Sequence, residues 1–382
     1  MKSNLAAGAA MATGLYATLT ISAGAFDGKN PAGSGYVLKF DGTFSSSTVD
    51  VNGTGAAGFK WYVTKWYGYP KTTTSQFSID SAGVLTINPN ESSNYQIATA
   101  APSSNAQGYV GQAFGGGFYI EGKIALKSAQ VDTTKGWPAF WSNALEELTG
   151  KAQWPGQVTG YNHHIENDFF EYYGTSGGGV KTFGMALHDW YGLLNKTCPG
   201  YCKVTNTNGV VQVGAVDWTQ FHTIGQLWIP GTSANNNQGS VTTYFDGVAT
   251  PNVVKWVNQG NGVPAPSGTF VASIQDKQNL VVILGTGVGS PMRVQYVRVW
   301  QLPGAISPNG TTITGANQQI VDSGKNVWTL VGGVVYKNGA TAGFSALVKK
   351  LVYSNGIVYQ GTDAGWWGWI NNNWVASGSP LA

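Results

Sequence analysis

The chain has 382 residues with a formal net charge of +3, and only 10% of them are charged, against about 25% in an ordinary soluble domain. No run of Lys and Arg offers the clustered positive charge that nucleic-acid binding requires, so nucleic acid is excluded as an expected partner. The length allows one large domain and a smaller one. Short β-type runs between Gly, Asn and Ser turns, without sustained helical periodicity, predict an all-β sandwich.

The N-terminus has the pattern of a secretion signal. Lys2 supplies a positive charge, the stretch from Leu5 to Ala23 is small and apolar, and Ala23-Gly24-Ala25 fits a cleavage site of small residues. The sequence therefore predicts a signal peptide over residues 1–25 and a secreted or periplasmic protein. No other segment predicts a membrane span.

Three carboxylates fall within six residues, at Glu166, Asp168 and Glu171. The segment predicts a strand, on which Glu166 and Asp168 share a face because residues two apart point the same way. Glu171 has the wrong parity for that face, and one extra residue in a β-bulge near Phe169-Phe170 would bring it back. Carboxylates this close push their pKa values apart, which is what glycoside hydrolysis needs.

This segment also allows two other interpretations. The acids could be incidental on a solvent-facing strand, or His163, His164, Glu166 and Asp168 could bind a metal. Strand parity separates the two histidines, and hard cations prefer cages of oxygen ligands. The sequence therefore predicts no catalytic metal.

The two cysteines of the chain, Cys198 and Cys202, are separated by a Pro-Gly turn. In an exported protein this spacing predicts a small disulfide loop, and two sulfur ligands are too few for a structural zinc site. The loop follows His188 and is expected to border the cleft.

The composition changes near residue 302. Residues 26–302 are expected to form the sandwich, residues 303–318 are a linker rich in Pro, Gly and Thr, and residues 319–382 predict a small β-meander with Asn-Gly hairpin turns. The Trp residues of this module are either a glycan-binding face or the core of a small domain. At least one of Trp366, Trp367 and Trp369 is expected to face outward or to pack on the main domain.

The motif Glu166-x-Asp168-x-x-Glu171 resembles the bulged active-site strand of the family 16 glycoside hydrolases, the laminarinase and lichenase superfamily. Four further segments resemble strands of that family in the same order, and the resemblance covers the chain from roughly Tyr36 to Leu302. These segments are Gly117–Lys123, Gly136–Trp141, Phe221–Pro230 and Tyr296–Trp300.

The resemblance implies a concanavalin A-like jelly roll and a role for each acid. Glu166 would be the nucleophile, Glu171 the general acid and base, and Asp168 the residue that hydrogen-bonds the nucleophile. The family position of Asn167 usually holds a small aliphatic residue, and a buried amide without partners costs about 1–3 kcal/mol.

Further candidates for substrate binding are aromatic residues and one histidine around this strand. His188 could hydrogen-bond Asp168 or a sugar hydroxyl. The candidates are Trp137, Trp141, His188, Trp154, Tyr161 and Trp190.

The sequence thus predicts an endo-acting, retaining β-glycosidase that hydrolyses a polysaccharide, with β-1,3-glucan or mixed β-1,3-1,4-glucan as the expected substrate. A transglycosylase on the same fold and a non-catalytic glycan-binding surface protein remain as alternatives. No cofactor is required; relatives carry a structural calcium ion, for which no ligand set is evident here. The protein is expected to be a monomer.

Overall fold

The computed structural model describes residues 26–63, 72–88, 95–102, 109–128, 137–145, 161–174, 179–193, 202–232, 235–257, 272–286, 291–304, 306–307, 311–314 and 319–380. Its regular structure is almost all β, which confirms the predicted class. The predicted signal peptide at residues 1–25 lies outside the described residues.

Among the described residues, nineteen strands precede residue 302, and short 3₁₀ helices occur at Ala32–Ser34, Gly179–Lys181 and Ala272–Lys277. In chain order the strands are β1 (Val37–Gly42), β2 (Val49–Asp50), β3 (Trp61–Tyr62), β4 (Phe77–Ile79), β5 (Leu85–Ile87), β6 (Tyr95–Ala98), β7 (Ala100–Pro102), β8 (Tyr109–Gly111), β9 (Phe114–Gly115), β10 (Phe118–Leu126), β11 (Ala139–Ala144), β12 (Tyr161–Glu171), β13 (Thr182–Leu193), β14 (Cys202–Gln212), β15 (His222–Ile229), β16 (Gln238–Phe245), β17 (Val248–Val257), β18 (Asn279–Thr286) and β19 (Met292–Gln301).

Two large sheets form a β-sandwich. Within the described residues, one sheet has the order β17-β16-β15-β10-β19-β5-β4, with β1 beside β19, and the other has the order β14-β13-β12-β11-β18-β6-β3-β2, with β9 beside β18. All of these pairs are antiparallel except β2 with β3. Neighbours in the sheets are often distant in sequence, as expected of a jelly roll.

The main core lies between the two sheets. Strand β10 is central in its sheet and is buried at every position except Lys123. Phe118 and Ile120 point into the core, while Tyr119 packs on the outside of the sheet in a second cluster with Phe26 and Trp300. Burial on both faces explains why this strand lacks a simple apolar–polar alternation.

The chain from residue 311 onward forms two small sheets. Its strands are β20 (Thr312–Ile313), β21 (Ile320–Val321), β22 (Val327–Val331), β23 (Val334–Lys337), β24 (Ala340–Thr341), β25 (Lys350–Ser354), β26 (Ile357–Thr362), β27 (Gly365–Ile370) and β28 (Asn373–Ser377). Their orders are β20-β25-β26-β27-β28 and β21-β22-β23-β24 among the described strands.

The predicted Asn-Gly hairpins are confirmed in this module. Asn338 and Gly339 join β23 to β24 with φ of 53° and 83°, and Asn355 and Gly356 join β25 to β26 with φ of 50° and 81°. Positive φ at both turn residues is the geometry of a two-residue hairpin, and Asn-Gly adopts it readily.

No helix among the described residues has both the length and the apolar character needed to cross a membrane.

Candidate active site

A β-bulge in β12 brings the three acids to one face. Between Asp168 and Glu171, three steps along β12 lie opposite two steps along β13, from Ala186 to Gly184. The same irregularity is present against β11, and Phe169 is the extra residue. The bulge predicted from the sequence is therefore confirmed.

The two aromatic residues at the bulge explain its stability. Phe169 and Phe170 are both fully buried in the main core, as is Tyr172 further along. Two consecutive side chains can enter the same core only where the alternation of the strand is broken. Burial of these rings therefore fixes Glu171 on the face opposite to the core, as the sequence predicted.

Glu166, Asp168 and His188 form a close cluster on this face. Glu166 lies directly opposite His188 on β13. The Nε2 atom of His188 is 3.2 Å from Oδ2 of Asp168 and 4.0 Å from Oε1 of Glu166. Of the two alternatives for His188, the contact with Asp168 is present.

Burial raises the pKa of Glu166 to about 8, and the nearby carboxylate of Asp168 adds to this effect. The charge of His188 and a hydrogen bond from Trp190 act in the opposite direction. Trp190 donates its indole N–H to Oε2 of Glu166 at 2.9 Å. Ionisation of both neighbouring carboxyls is therefore unfavourable, because their charges repel each other.

Glu171 has a different environment from Glu166. The indole N–H of Trp137 donates to Oε1 at 2.7 Å, and the hydroxyl of Tyr173 donates to Oε2 at 2.7 Å. Tyr173 reaches Glu171 because its ring occupies the space above Gly184, where an added Cβ would lie 2.6 Å from the ring. Burial and the charge of Glu171 raise the pKa of Tyr173, so its hydroxyl stays protonated.

Aromatic side chains and a small apolar cluster lie beside the acids. The Trp190 ring is nearly parallel to that of His164, with centroids 6.3 Å apart. Trp141 lies opposite Asp168 on one side and Ile283 on the other. It packs against a small cluster of Ala98, Ala100, Ala113, Leu145, Val281 and Ile283. These side chains form an aromatic and apolar surface beside the acids.

Buried amide side chains form hydrogen bonds on the core side of β12, opposite to the acids. Asn167 Nδ2 donates to Gln226 Oε1 at 2.7 Å, and Gln226 Nε2 donates to Asn167 Oδ1 at 3.1 Å. Gln278 Oε1 accepts the backbone N–H of Ile165 at 2.9 Å. The polar residue that departs from the family pattern is thus fully buried and paired.

Gln275 lies within the 3₁₀ helix Ala272–Lys277, and Gln278 directly follows it. Asp276 anchors this helix. The Asp276 carboxylate accepts the indole N–H groups of Trp228 at 3.2 Å and Trp256 at 2.7 Å. It also accepts the backbone N–H of Gly231 at 3.0 Å. The helix therefore connects β12 to the opposite sheet, and none of these residues was predicted from the sequence.

Glu166, Asp168 and His188 could also hold a cation, because one ligand atom from each lies within 4.8 Å of the others. Two carboxylates and one imidazole fall short of the oxygen cage of six to eight ligands that calcium takes. Of the metal-binding set considered from the sequence, His164 is not part of this cluster, and the side chain of His163 lies outside the described residues.

The structure places four of the six predicted substrate-binding residues at the acids: Trp137, Trp141, His188 and Trp190. Trp154 and Cys198 lie outside the described residues, and so do the side chains of Tyr161 and Cys202. Their predicted roles, including the disulfide, stay predictions.

No family model matches the chain, and no curated protein is similar to it in sequence. Among solved structures, it is similar to a GlcNAcα1-4Gal releasing endo-β-galactosidase from Clostridium perfringens, at 15% identity and a TM-score of 0.41 over 86% of this chain and 78% of that one. It is also similar to the kappa-carrageenase from Pseudoalteromonas carrageenovora, crystallised with a carrageenan oligosaccharide, at 15% identity and a TM-score of 0.37 over 62% and 86%. Peanut lectin is similar at 13% identity and a TM-score of 0.29 over 63% and 95%. Enzymes and lectins are both present at these low values, so the functional conclusion depends on the site itself.

Proposed function

We propose that the chain is a retaining, endo-acting glycoside hydrolase that cleaves a β-linked polysaccharide. The observation that carries this proposal is the pair of differently held carboxylates on one face of β12. Glu166 is buried beside Asp168, whereas Glu171 receives two hydrogen bonds. A purely glycan-binding surface gains nothing from three mutually repelling acids, which cost folding energy.

In the first step, Glu166 attacks the anomeric carbon and forms a glycosyl–enzyme ester. The bond from that carbon to the leaving oxygen breaks, and Glu171 gives its proton to this oxygen. In the second step, water attacks the same carbon, its proton returns to Glu171, and the Glu166 carboxylate is released. The carboxylates of retaining enzymes lie roughly 5–5.5 Å apart.

The nucleophile has to be ionised, although the pKa of Glu166 is raised to about 8. Asp168 resolves this, because the proton of the coupled pair can reside on either carboxyl. Transfer to Asp168, which is only 3% exposed, leaves Glu166 charged. The hydrogen bond from Trp190 stabilises that charge.

The proton on Glu171 has a defined position. The indole N–H of Trp137 is a donor only, so Oε1 of Glu171 stays an acceptor. The transferable proton is therefore carried by Oε2, beside the Tyr173 hydroxyl, which can accept as well as donate. This places Tyr173 next to the leaving group during proton transfer.

The substrate class follows from the same face together with the family resemblance. Aromatic rings such as Trp141 and Trp190 suit the flat apolar faces of pyranoses, and β-1,3-glucan or mixed-linkage β-glucan is the substrate we propose. A polymer of this kind is met outside the cell, which agrees with the signal peptide predicted at residues 1–25. Residues 26–302 would be the catalytic domain.

The test is release of reducing ends from laminarin, lichenan, agarose and carrageenan by wild type, Glu166→Ala and Glu171→Ala. We expect release from one substrate and its loss in both variants. Azide then assigns the roles: it should restore turnover of an activated aryl glycoside in both variants. The glycosyl azide should be inverted with Glu166→Ala and retained with Glu171→Ala. Release of reducing ends that survives both substitutions would refute the proposal.

A further inference from the structure

The C-terminal module carries an aromatic face that takes no part in its core. The register between β26 and β27 is regular from Tyr359 to Thr362, with Gly361 opposite Trp366 and Tyr359 opposite Gly368. Regular alternation puts Trp367 and Trp369 on one side of β27 and Trp366 on the other. Trp369 packs against the core of the module, so Trp366 faces away from that core, which is the first of the two alternatives expected from the sequence.

Tyr359 and Trp366 lie flat on this outer side, each over a glycine of the neighbouring strand. A Cβ added at Gly361 would lie 2.8 Å from the Trp366 ring, and one added at Gly368 would lie 3.1 Å from the Tyr359 ring. Each glycine thus leaves the space that its partner ring fills. The rings press against the sheet, and both residues keep part of their surface exposed to solvent.

The core of the module is complete without these two rings. Trp328, Trp369 and Trp374 pack against one another on the inner side, with ring centroids 5.0–6.0 Å apart. They belong to a cluster that includes the fully buried Leu351. The outer rings are therefore additional apolar surface, beside the exposed Val375.

The charge of this outer side is sparse and positive. Within β20 and β25–β28, no described residue that points outward is acidic. Lys350 lies over the Trp366 ring, with its Nζ 5.3 Å from the ring centroid. Exposed Asn373 and Ser377 on β28 offer polar groups at the edge of the rings. Flat rings with a few polar groups at their rim match a pyranose, which has an apolar face and a rim of hydroxyls.

We propose that this Tyr359–Trp366 face binds a polysaccharide chain, whose pyranose rings stack on the two aromatic side chains. The face would hold the polymer while the catalytic sandwich acts on it. Only the choice of the polymer rests on the function proposed above, since stacking does not depend on the chemistry at Glu166. Lys350 would add affinity for an anionic polymer by contacting its sulfate or carboxylate groups.

The experiment is affinity electrophoresis of the full chain carrying Glu166→Gln, through gels containing laminarin, lichenan or kappa-carrageenan. Trp366→Val and Tyr359→Val keep β-forming residues on the strands, and their folding is checked by thermal unfolding. Phe344→Val, at an exposed aromatic in the loop between β24 and β25 (89% exposed), is the control.

We expect each of the two face variants to weaken retardation by at least about tenfold in apparent dissociation constant, and the control to leave it unchanged. Lys350→Gln should weaken only retention by carrageenan. Equal retardation of the parent, Trp366→Val and Tyr359→Val in every gel would overturn the proposal, as would a parent that no gel retards.

Failure of this proposal is distinguishable from failure of the proposed function. Each variant is also made with Glu166 intact and assayed on a short soluble oligosaccharide. Unchanged release with lost retardation supports the binding face and a separate catalytic site. Retardation that depends on Trp366 in a protein that cleaves nothing would keep the binding face and refute the hydrolase.

Discussion

Asn167 and Gln226 join the two sheets of the sandwich by a reciprocal pair of amide hydrogen bonds, directly behind the acids. The two N···O distances are 2.7 and 3.1 Å, and both residues are fully buried. Asn167 sits between Glu166 and Asp168 in sequence and faces the other way. The pair therefore fixes the position of β12, which carries the acids, relative to the opposite sheet.

Breaking this amide pair on one side should cost more than removing it entirely. Asn167→Leu leaves the buried amide of Gln226 without its partner, and Gln226→Met leaves Asn167 with only the longer contact to Gln275 at 3.4 Å. Each change should lower the free energy of unfolding by about 1–3 kcal/mol. The double variant replaces both amides with apolar groups of similar shape and should be less destabilised than the sum of the two. Denaturant unfolding of all four proteins gives the coupling, and strict additivity would contradict a direct interaction.

Glu166 should make the folded protein less stable as the pH rises. Its pKa is about 8 when folded and near 4.5 in the unfolded chain, so between these values the folded state binds more protons and stability falls with pH. Glu166→Gln cannot ionise and should gain stability over the wild type from pH 5 to pH 8. A pKa unit corresponds to about 1.4 kcal/mol, so over these three pH units we expect a gain on the order of 4 kcal/mol.

Thermal unfolding of both proteins across this pH range measures the effect. Asp363→Asn is the matched control, because Asp363 is 81% exposed in an ion pair with Lys349. It should show no such pH-dependent difference. A constant gap between Glu166→Gln and the wild type at all pH values would show that Glu166 does not hold a proton in the folded state.

The hydrogen bond from Trp137 should hold the carboxyl of Glu171 in position for proton transfer. Trp137→Phe keeps an aromatic ring but removes the donor that lies 2.7 Å from Oε1 of Glu171. Loss of one hydrogen bond of about 1 kcal/mol corresponds to a fall of roughly fivefold in kcat/KM. Trp141→Phe retains both donors to Glu171 and is the matched control. An unchanged kcat/KM in Trp137→Phe would contradict this role.

His188 should act by positioning Asp168 and Glu166. Its Nε2 lies 3.2 Å from Asp168, and loss of the imidazole leaves the two carboxylates without the group between them. We expect His188→Ala to lower kcat by about a hundredfold, the size of effect that misplaced catalytic groups produce. The ascending limb of the pH profile should move to higher pH, since the charge of His188 helps Glu166 to ionise. A fall in kcat without a shift of the ascending limb would mean that His188 has only a structural role.

The arrangement of the three acids could be predicted from the sequence because it depends only on neighbouring residues of one strand. Strand parity and one odd spacing determine that Glu166 and Glu171 can share a face only through a bulge. The amides behind the strand have no such signal. Gln226, Gln275 and Gln278 lie 59, 108 and 113 residues from their partners on β12, and glutamine has no preferred spacing for such contacts.

Tyr173 shows an intermediate case. Its parity places it on the same face of the chain as Glu171. That its hydroxyl bonds the carboxylate depends on Gly184 of the next strand, whose missing side chain admits the ring. A glycine in a strand indicates that another group comes close to the backbone there, but it does not indicate which group.

The bulge at Phe169 makes the chemistry depend on chain length as well as on residue identity. If β12 paired without interruption at its present length, every side chain beyond Phe169 would exchange faces, so that Glu171 would turn into the apolar interior and Phe170 would turn to solvent. Removal of Phe169 itself would instead close the bulge and leave Asp168 and Glu171 two positions apart, on the same face. Insertions and deletions at other positions between the acids are thus more damaging than most substitutions, because they can preserve the sheet while changing which face each acid occupies.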